Sequence, residues 1–233
     1  MAVTTPAPAA LQAALTAGQE RLRELLPRLT EEAVRAPSAL PGWSRGHVLT
    51  HLEGVGLALA RQARYALRGR QIEVYDGGRP ARDAAIAAGH GRSATVLAQA
   101  LSAALDEVAA SWSAVTADDW ARPVRYRDGT LLDAGLAWWR EVEIHTTDAL
   151  LGPSTADWPP AFSGYLVEYL APRVPAGVRL TFDADDGPYH WTVGEGRELA
   201  VKGRLTDLAA WLAGRRPARA LAGDPLPTLT DWP

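Results

Sequence analysis

The sequence predicts a mainly helical protein, with a bundle of four long helices over residues 1–152 and a small α+β domain over residues 153–233. In the first part, leucines and alanines recur every three or four residues between turn-forming segments, which is the spacing of amphipathic helices. In the second part, apolar residues alternate with a period of two, which is typical of β-strands. The 233 residues, 47% of them hydrophobic, are enough to build two hydrophobic cores.

The first two predicted helices are separated by a segment with two prolines and a glycine. The first follows a Pro/Ala-rich start that we expect to be frayed, and its apolar face consists of Leu11, Leu15, Leu22, Leu25 and Leu29. Ser44 is placed to cap the second helix, which runs from about Arg45 towards Leu67 and ends before Gly69.

The third and fourth predicted helices complete the bundle. The third covers about 82–115 and is interrupted or kinked near Gly89 and Gly91. A polar connection over 117–129, with a short hairpin-like piece, leads to the fourth helix over about 130–152. Four long helices joined in this way indicate a helical bundle.

The C-terminal part combines strands with one further helix. After a proline-punctuated linker and a short helical stretch, three runs alternate with a period of two: 178–182, 189–193 and 199–201. An Asp-Asp-Gly turn joins the first two runs. A last helix over 205–212 ends at Gly214, followed by Arg215 and Arg216.

Composition narrows the possible partners to small molecules. The net charge is only −3 and the charges are interspersed, so neither nucleic acid nor an anionic membrane surface is expected to bind. No apolar run is long enough for a membrane span, and the N-terminus lacks the layout of a secretory signal, so we expect a cytoplasmic protein. We expect it to be a monomer or a small homo-oligomer. The chain contains no cysteine, and any thiol chemistry must use an external thiol.

One face of the fourth helix carries a possible metal site. Trp138, Glu141, His145 and Asp148 are separated by three, four and three residues, which stacks them on one face. A carboxylate and an imidazole at positions i and i+4 can bind the same cation, and His51 on the second helix is a candidate third ligand. Two histidines and one glutamate leave a coordination position open, as in catalytic zinc sites.

Simpler interpretations of these residues stay open at this point. A Glu-x-x-x-His pair is common by chance, and a histidine in an apolar helix is usually a core or surface group. His47 lies one turn before His51 and could replace it as a ligand, although its position near the helix start favours a capping role. Asp148 could orient a ligand or an arginine, or could be a plain surface carboxylate.

Four stretches resemble signatures of the mycothiol-dependent maleylpyruvate isomerases, in the same order along the chain. They are LPGWSRGHVLTH (40–51), YDGGRPARDAAI (75–86), REVEIHTTDAL (140–150) and DLAAWLAGR (207–215). The resemblance implies a DinB-like four-helix bundle followed by a C-terminal domain similar to sterol-carrier modules.

The same resemblance implies a site and a reaction. Zinc would be held by His51, Glu141 and His145, with the fourth position given to water and then to the sulfur of a thiol cosubstrate such as mycothiol. Arg82 and Arg215 match positions that hold the anionic substrate, although each could equally be a solvated charge. The implied reaction is the cis–trans isomerisation of maleylpyruvate to fumarylpyruvate, a step of aromatic degradation through gentisate.

Two rival functions remain. The same bundle and metal triad also serve thiol S-transferases, which attach a small thiol to an electrophile, although the quoted stretches look more like the isomerases. Alternatively, the chain is no enzyme, and a sterol-carrier-like domain binds a hydrophobic ligand beside a metal-free scaffold. The identity of the thiol, whether mycothiol, ergothioneine or glutathione, is also open.

Overall fold

A computed structural model describes residues 5–233 and divides them into two compact units, of which Ala7–Gly152 form one and Pro153–Pro233 lie in the other. The first unit is helical and the second contains a small sheet, which confirms the predicted fold class. None of the helices in the described residues has the length and hydrophobicity required to span a membrane.

The helical unit is built around four long helices. Its helices are α1 (Pro8–Leu25), α2 (Glu31–Arg35), α3 (Arg45–Ala66), α4 (Gly78–Gly89), α5 (Ala94–Ser113) and α6 (Leu131–Asp148). Helix α3 packs against both α5 and α6, while α1 packs against α6 and α5, so these four helices enclose the core. The short α2 and α4 lie against α3.

Local capping explains where the two site-bearing helices begin. The Ser44 hydroxyl accepts a hydrogen bond from the His47 N–H, and His47 Nδ1 accepts one from the Ser44 N–H at 3.1 Å. Thr130 and Asp133 form the equivalent capping box at the start of α6. These reciprocal bonds satisfy backbone donors that have no partner within the helix.

The structure corrects the predicted third helix. The helical segment begins at Gly78 instead of residue 82, and it is divided into α4 and α5 instead of being one kinked helix. Ser93 caps the start of α5, because its hydroxyl accepts a hydrogen bond from the Val96 N–H at 3.3 Å. The expected hairpin-like piece is reduced to an isolated bridge between Pro123 and Thr130.

The second unit is a four-stranded sheet with two helices. Its elements are α7 (Pro160–Leu170), β1 (Val178–Ala184), β2 (His190–Gly194), β3 (Arg197–Gly203), α8 (Leu205–Leu212) and β4 (Ala222–Gly223). The strand order is β2-β1-β3-β4, with β1 and β3 parallel and both outer pairs antiparallel. Alternate residues of β1 and β3 are buried, and α8 packs against both α7 and the sheet. The sequence had not predicted α2 or β4.

Candidate metal centre

Three side chains from two helices converge inside the bundle. His51 Nε2 on α3 lies 2.9 Å from Glu141 Oε2 on α6, and His145 Nε2 lies 3.2 Å from the same oxygen. One ligand atom from each of the three residues lies within 4.8 Å of the others. The structure therefore brings together the three residues that the sequence proposed as metal ligands.

The spacing of these atoms suits a tetrahedral cation. Zinc binds nitrogen and oxygen ligands at 2.0–2.2 Å, so tetrahedral geometry separates neighbouring ligand atoms by about 3.3–3.5 Å. The two distances to the Glu141 oxygen are only a few tenths of an ångström shorter. Small outward shifts of the side chains would therefore admit the ion.

Close packing of α3 on α6 holds the cluster together. A Cβ atom at Gly56 would come within 3.0 Å of the Trp138 ring, so glycine permits the close approach of the two helices. Gly56 lies five residues after His51, and Trp138 lies three residues before Glu141, so this contact is about one helical turn from the ligands. Trp138 is completely buried.

Asp148 fixes the orientation of one imidazole. Its Oδ2 lies 2.9 Å from His145 Nδ1, and its side chain is completely buried. Because Nδ1 faces this carboxylate, Nε2 is the nitrogen directed to the cluster, as in carboxylate–histidine–zinc arrangements. Asp148 is thus a buried partner of a candidate ligand, and the surface interpretation of this carboxylate is wrong.

The electrostatics of the three-residue cluster favour a cation. Burial opposes ionisation of Glu141, but hydrogen bonds from His145 and His51 outweigh burial and hold the pKa of Glu141 well below its ordinary value. Burial likewise opposes the charged form of His145, yet its hydrogen bonds to Asp148 and Glu141 raise the pKa of His145 to about 9. The buried carboxylate of Asp148 and the partly buried carboxylate of Glu141 thus stabilise positive charge at this point, as a bound metal ion requires.

Arg82 contacts the other imidazole. Its Nη2 lies 3.2 Å from His51 Nδ1, while its Nη1 donates to Asp83 Oδ1 at 2.7 Å. A guanidinium only donates hydrogen bonds, so Nδ1 acts as acceptor and the His51 proton lies on Nε2, directed to Glu141. Burial lowers the pKa of His51, which keeps this ring neutral at pH 7.

The remaining predicted residues lie outside the ligand cluster. His47 caps α3 through Ser44, and its ring stacks on His90 at 3.6 Å, so the structure brings His51 to the cluster and leaves His47 at the helix start. Arg215 belongs to the second unit. Its Nη1 donates to the Ala213 carbonyl at 2.8 Å, and its guanidinium lies 5.8 Å from the centre of the Trp232 ring.

Sequence reasoning had assigned no role to Tyr75, which lies beside the cluster. Burial raises the pKa of its phenol, and the charge of Glu141 adds to this effect, while a hydrogen bond with Arg82 opposes it. Tyr75 therefore remains a protonated donor at neutral pH. The YDGGRPARDAAI stretch contains both Tyr75 and Arg82, so this stretch could have pointed to Tyr75 as a site residue. A tyrosine in a loop, however, belongs to no periodic pattern that would predict which residues it contacts.

Comparisons with known proteins concern the family and the fold of this chain. The family model described as "Mycothiol maleylpyruvate isomerase N-terminal domain" matches residues 15–150. A crystal structure of the mycothiol-dependent maleylpyruvate isomerase covers 100% of both chains with a TM-score of 0.85 and 19% sequence identity. A second structure, of a mutant of that isomerase, gives a TM-score of 0.85 and 18% identity over the same coverage. No curated protein matches this chain in sequence.

Proposed function

This chain belongs to the mycothiol maleylpyruvate isomerase N-terminal domain family, and from that premise we propose that it is a thiol-dependent, zinc-dependent cis–trans isomerase. Its substrate would be maleylpyruvate and its product fumarylpyruvate, in aromatic degradation through gentisate. The cosubstrate would be mycothiol, which the description of the family names.

The observation that carries this proposal is the convergence of His51, Glu141 and His145. Two imidazoles and one carboxylate are ligands that zinc accepts, and a three-residue set leaves one position for an exchangeable group. The hydrogen bond between buried Asp148 and His145 Nδ1 would leave His145 Nε2 free to bind such an ion. A divalent ion held there would lower the pKa of the cosubstrate thiol, so that the nucleophilic thiolate predominates at neutral pH.

The isomerisation conserves every atom of the substrate. The thiolate sulfur forms a bond to one carbon of the cis double bond, and the π electrons move onto the conjugated keto oxygen, giving an enolate. The former double bond is now single and rotates. Return of the electrons from the enolate expels the thiolate and leaves the trans double bond, so the thiol is regenerated. Because the chain has no cysteine, the sulfur must come from a cosubstrate.

Two residues beside the cluster suit the anionic substrate. Arg82 supplies a guanidinium whose planar N–H groups match a carboxylate, and Tyr75 retains a phenolic proton that can be donated to the enolate oxygen. A cation on His51 Nε2 would require the imidazole proton to move to Nδ1, where it would face the Arg82 donor. Arg82 would then turn to another acceptor, and a substrate carboxylate is available for that role. The role of Arg215 in substrate binding, which the resemblance implies, stays a prediction.

The proposal is tested by zinc content and by turnover. Purified protein should bind one equivalent of zinc and convert maleylpyruvate to fumarylpyruvate only when mycothiol is present. Glu141→Ala should lose both properties, because it removes a charged ligand, whereas Glu20→Ala, which alters an exposed carboxylate on α1, should retain both. Unchanged zinc content in Glu141→Ala would refute the ligand assignment.

The rival functions give different outcomes in the same experiment. A thiol S-transferase would bind zinc at the same residues but leave maleylpyruvate unconverted, and a screen of electrophiles would show mycothiol conjugates. A metal-free binding protein would contain no zinc in either variant.

A further inference from the structure

Residues 224–233 of the second unit follow β4 and form neither helix nor strand, and we call them the strap. The start of the strap is bound to β3. The Asp224 N–H donates to the Ala200 carbonyl at 2.9 Å, and Asp224 Oδ2 accepts a hydrogen bond from the Ala200 N–H at 2.8 Å. Pro225 and Pro227 then restrict the backbone of the next residues. The strap is therefore fixed and stiffened over its first half.

Arg173 binds the second half of the strap. The Thr230 N–H donates to the Arg173 carbonyl at 2.9 Å, and Arg173 Nε donates to the Thr230 carbonyl at 2.8 Å. Arg173 Nη1 also donates to the carbonyl of Leu212, the last residue of α8, where helix carbonyls lack partners within the helix. Arg173 thus joins the strap to the end of α8. Trp232, two residues after Thr230, is held beside that helix end.

The Trp232 ring lies against two guanidinium groups. Its centre is 5.6 Å from Arg173 Cζ and 5.8 Å from Arg215 Cζ, and both distances are within the range of cation–π interactions. The ring is 40% exposed, so hydrophobic burial explains only part of its placement. Contact with the two arginines is the more specific interaction of this tryptophan.

The strap also offsets the repulsion between these two arginines. Burial lowers the pKa of Arg173, the positive charge of Arg215 lowers it further, and the negative charge of Asp231 opposes both effects. Two positive charges side by side disfavour each other, whereas a carboxylate and an electron-rich ring face favour them. Asp231 and Trp232 therefore both help to keep Arg215 charged and close to Arg173.

The contacts of Arg215 suit a guanidinium that is ordered before it binds a ligand. Its Nη1 donates to the Ala213 carbonyl at 2.8 Å, and the Trp232 ring packs beside it. Aromatic rings pack on the plane of a guanidinium, while carboxylates bind the N–H groups at its edge. The same guanidinium is therefore able to contact a ring and a carboxylate together. An arginine that is already ordered loses less conformational entropy when a ligand binds.

We propose that Trp232 is a positioning residue, which the strap holds against Arg215 so that the guanidinium is ordered to bind a carboxylate of the substrate. The inference rests on the proposed function, in which Arg215 is predicted to bind the anionic substrate. Trp232 acts through Arg215 and not on the substrate itself. Arg173 contributes by anchoring the strap at Thr230.

NMR of the arginine side chains tests the positioning without any substrate. The Nε–H signal of Arg215, identified by its absence in Arg215→Lys, should be displaced by the ring current of Trp232 and should show restricted motion. Trp232→Ala should move this signal towards that of a solvated arginine and increase its motion. The matched control is Leu226→Ala, which removes another exposed apolar side chain of the strap and should leave the signal unchanged. An identical Arg215 signal in Trp232→Ala and the original chain would overturn the proposal.

Binding of maleate, a cis dicarboxylate, is the second measurement, made by calorimetry in the absence of thiol. Trp232→Ala should weaken maleate binding about two- to fivefold, as expected for loss of a cation–π contact at the surface. Trp232→Phe should restore most of the affinity, because a phenyl ring keeps the contact, and Leu226→Ala should bind as the original chain does. Arg215→Ala should weaken binding further, and adding Trp232→Ala to it should have no additional effect. An additional loss in that double variant would overturn the proposal, because Trp232 would then act without Arg215.

Kinetics separate the positioning role from the proposed reaction. With mycothiol present, Trp232→Ala should raise the KM for maleylpyruvate by the same factor and leave kcat unaltered, because the contact orders Arg215 equally in the ground state and the transition state. Isomerisation combined with maleate binding that does not depend on Trp232 would overturn the positioning role alone. Maleate binding that depends on Trp232 through Arg215, without any isomerisation, would support the positioning role and refute the isomerase.

Discussion

Replacing Asp148 by asparagine should weaken zinc binding without disturbing the bundle. Asparagine has nearly the same shape, and the backbone carbonyl of residue 148, which accepts a hydrogen bond from the Ala39 N–H, is unaffected. The variant removes the negative charge 2.9 Å from His145 Nδ1. The imidazole can still donate to the amide oxygen, but a neutral acceptor forms a bond about half as strong as a charged one.

The size of the effect follows from the electrostatics of His145. Its hydrogen bonds to Asp148 and Glu141 raise the pKa of His145 to about 9, against an ordinary value of 6.5, even though burial opposes this. Such a shift corresponds to roughly 3 kcal/mol in favour of positive charge on the ring. If Asp148 supplies about half of this, its loss should cost about 1.5 kcal/mol, or about tenfold in zinc affinity. Losses of 10–100-fold are typical for such supporting residues.

The assay is competition for zinc between the protein and a fluorescent chelator at pH 7.5. Asp133→Asn serves as the matched control, because Asp133 caps the opposite end of α6 through Thr130. That variant should lose roughly 1 kcal/mol of stability, because the hydrogen bonds from Thr130 would then have a neutral acceptor, and its zinc affinity should be unchanged. Equal zinc affinity in Asp148→Asn and the original chain, or an equal loss in both variants, would refute the positioning role of Asp148.

Three further predictions concern stability. Gly46→Ala should destabilise the protein by about 1–3 kcal/mol, because the added Cβ would lie 2.4 Å from the His90 carbonyl oxygen. Denaturant titration measures this loss. An unchanged unfolding midpoint would mean that the backbone moves easily to make room for the Cβ. Arg21→Ala should cost about 1–3 kcal/mol, since it removes the guanidinium that pairs with the buried carboxylate of Glu143, and the added change Glu143→Gln should restore part of the loss. Hydrogen bonds from Thr116 and Arg122 lower the pKa of Asp119 to about 2. The ionised Asp119 carboxylate therefore stabilises the folded state fully above about pH 4, and this stabilisation is lost as the pH falls towards 2 and the carboxylate is protonated. Thermal unfolding of Asp119→Asn should therefore depend less on pH over that interval, and identical pH dependence would contradict the assignment.

The sequence predicted the elements whose determinants are local. Ser44 precedes α3 as a capping residue, and the period-two runs became β1, β2 and β3. The last helix spans the predicted residues, Leu205–Leu212. Helix caps and apolar periodicity act over a few neighbouring residues, so they can be recognised without knowledge of the fold.

Interactions between distant segments explain why the sequence predicted one kinked third helix where the structure has two separate helices, α4 and α5. Two glycines indicated an interruption, but not whether the helix bends or stops. At Gly89 an added Cβ would lie 2.6 Å from Thr50 Cγ2, so the chain there passes close to α3. That contact joins residues 39 positions apart, and no local pattern encodes it.

The candidate site shows the same division between local and tertiary information. The sequence alone determined that Glu141 and His145 share a helix face, because four residues make about one helical turn. Only the tertiary structure decided that His51, and not His47, completes the cluster, and that Tyr75 lies beside it. Side chains from separate helices meet through the packing of the whole core, and that packing depends on many residues together, not on the spacing within one segment.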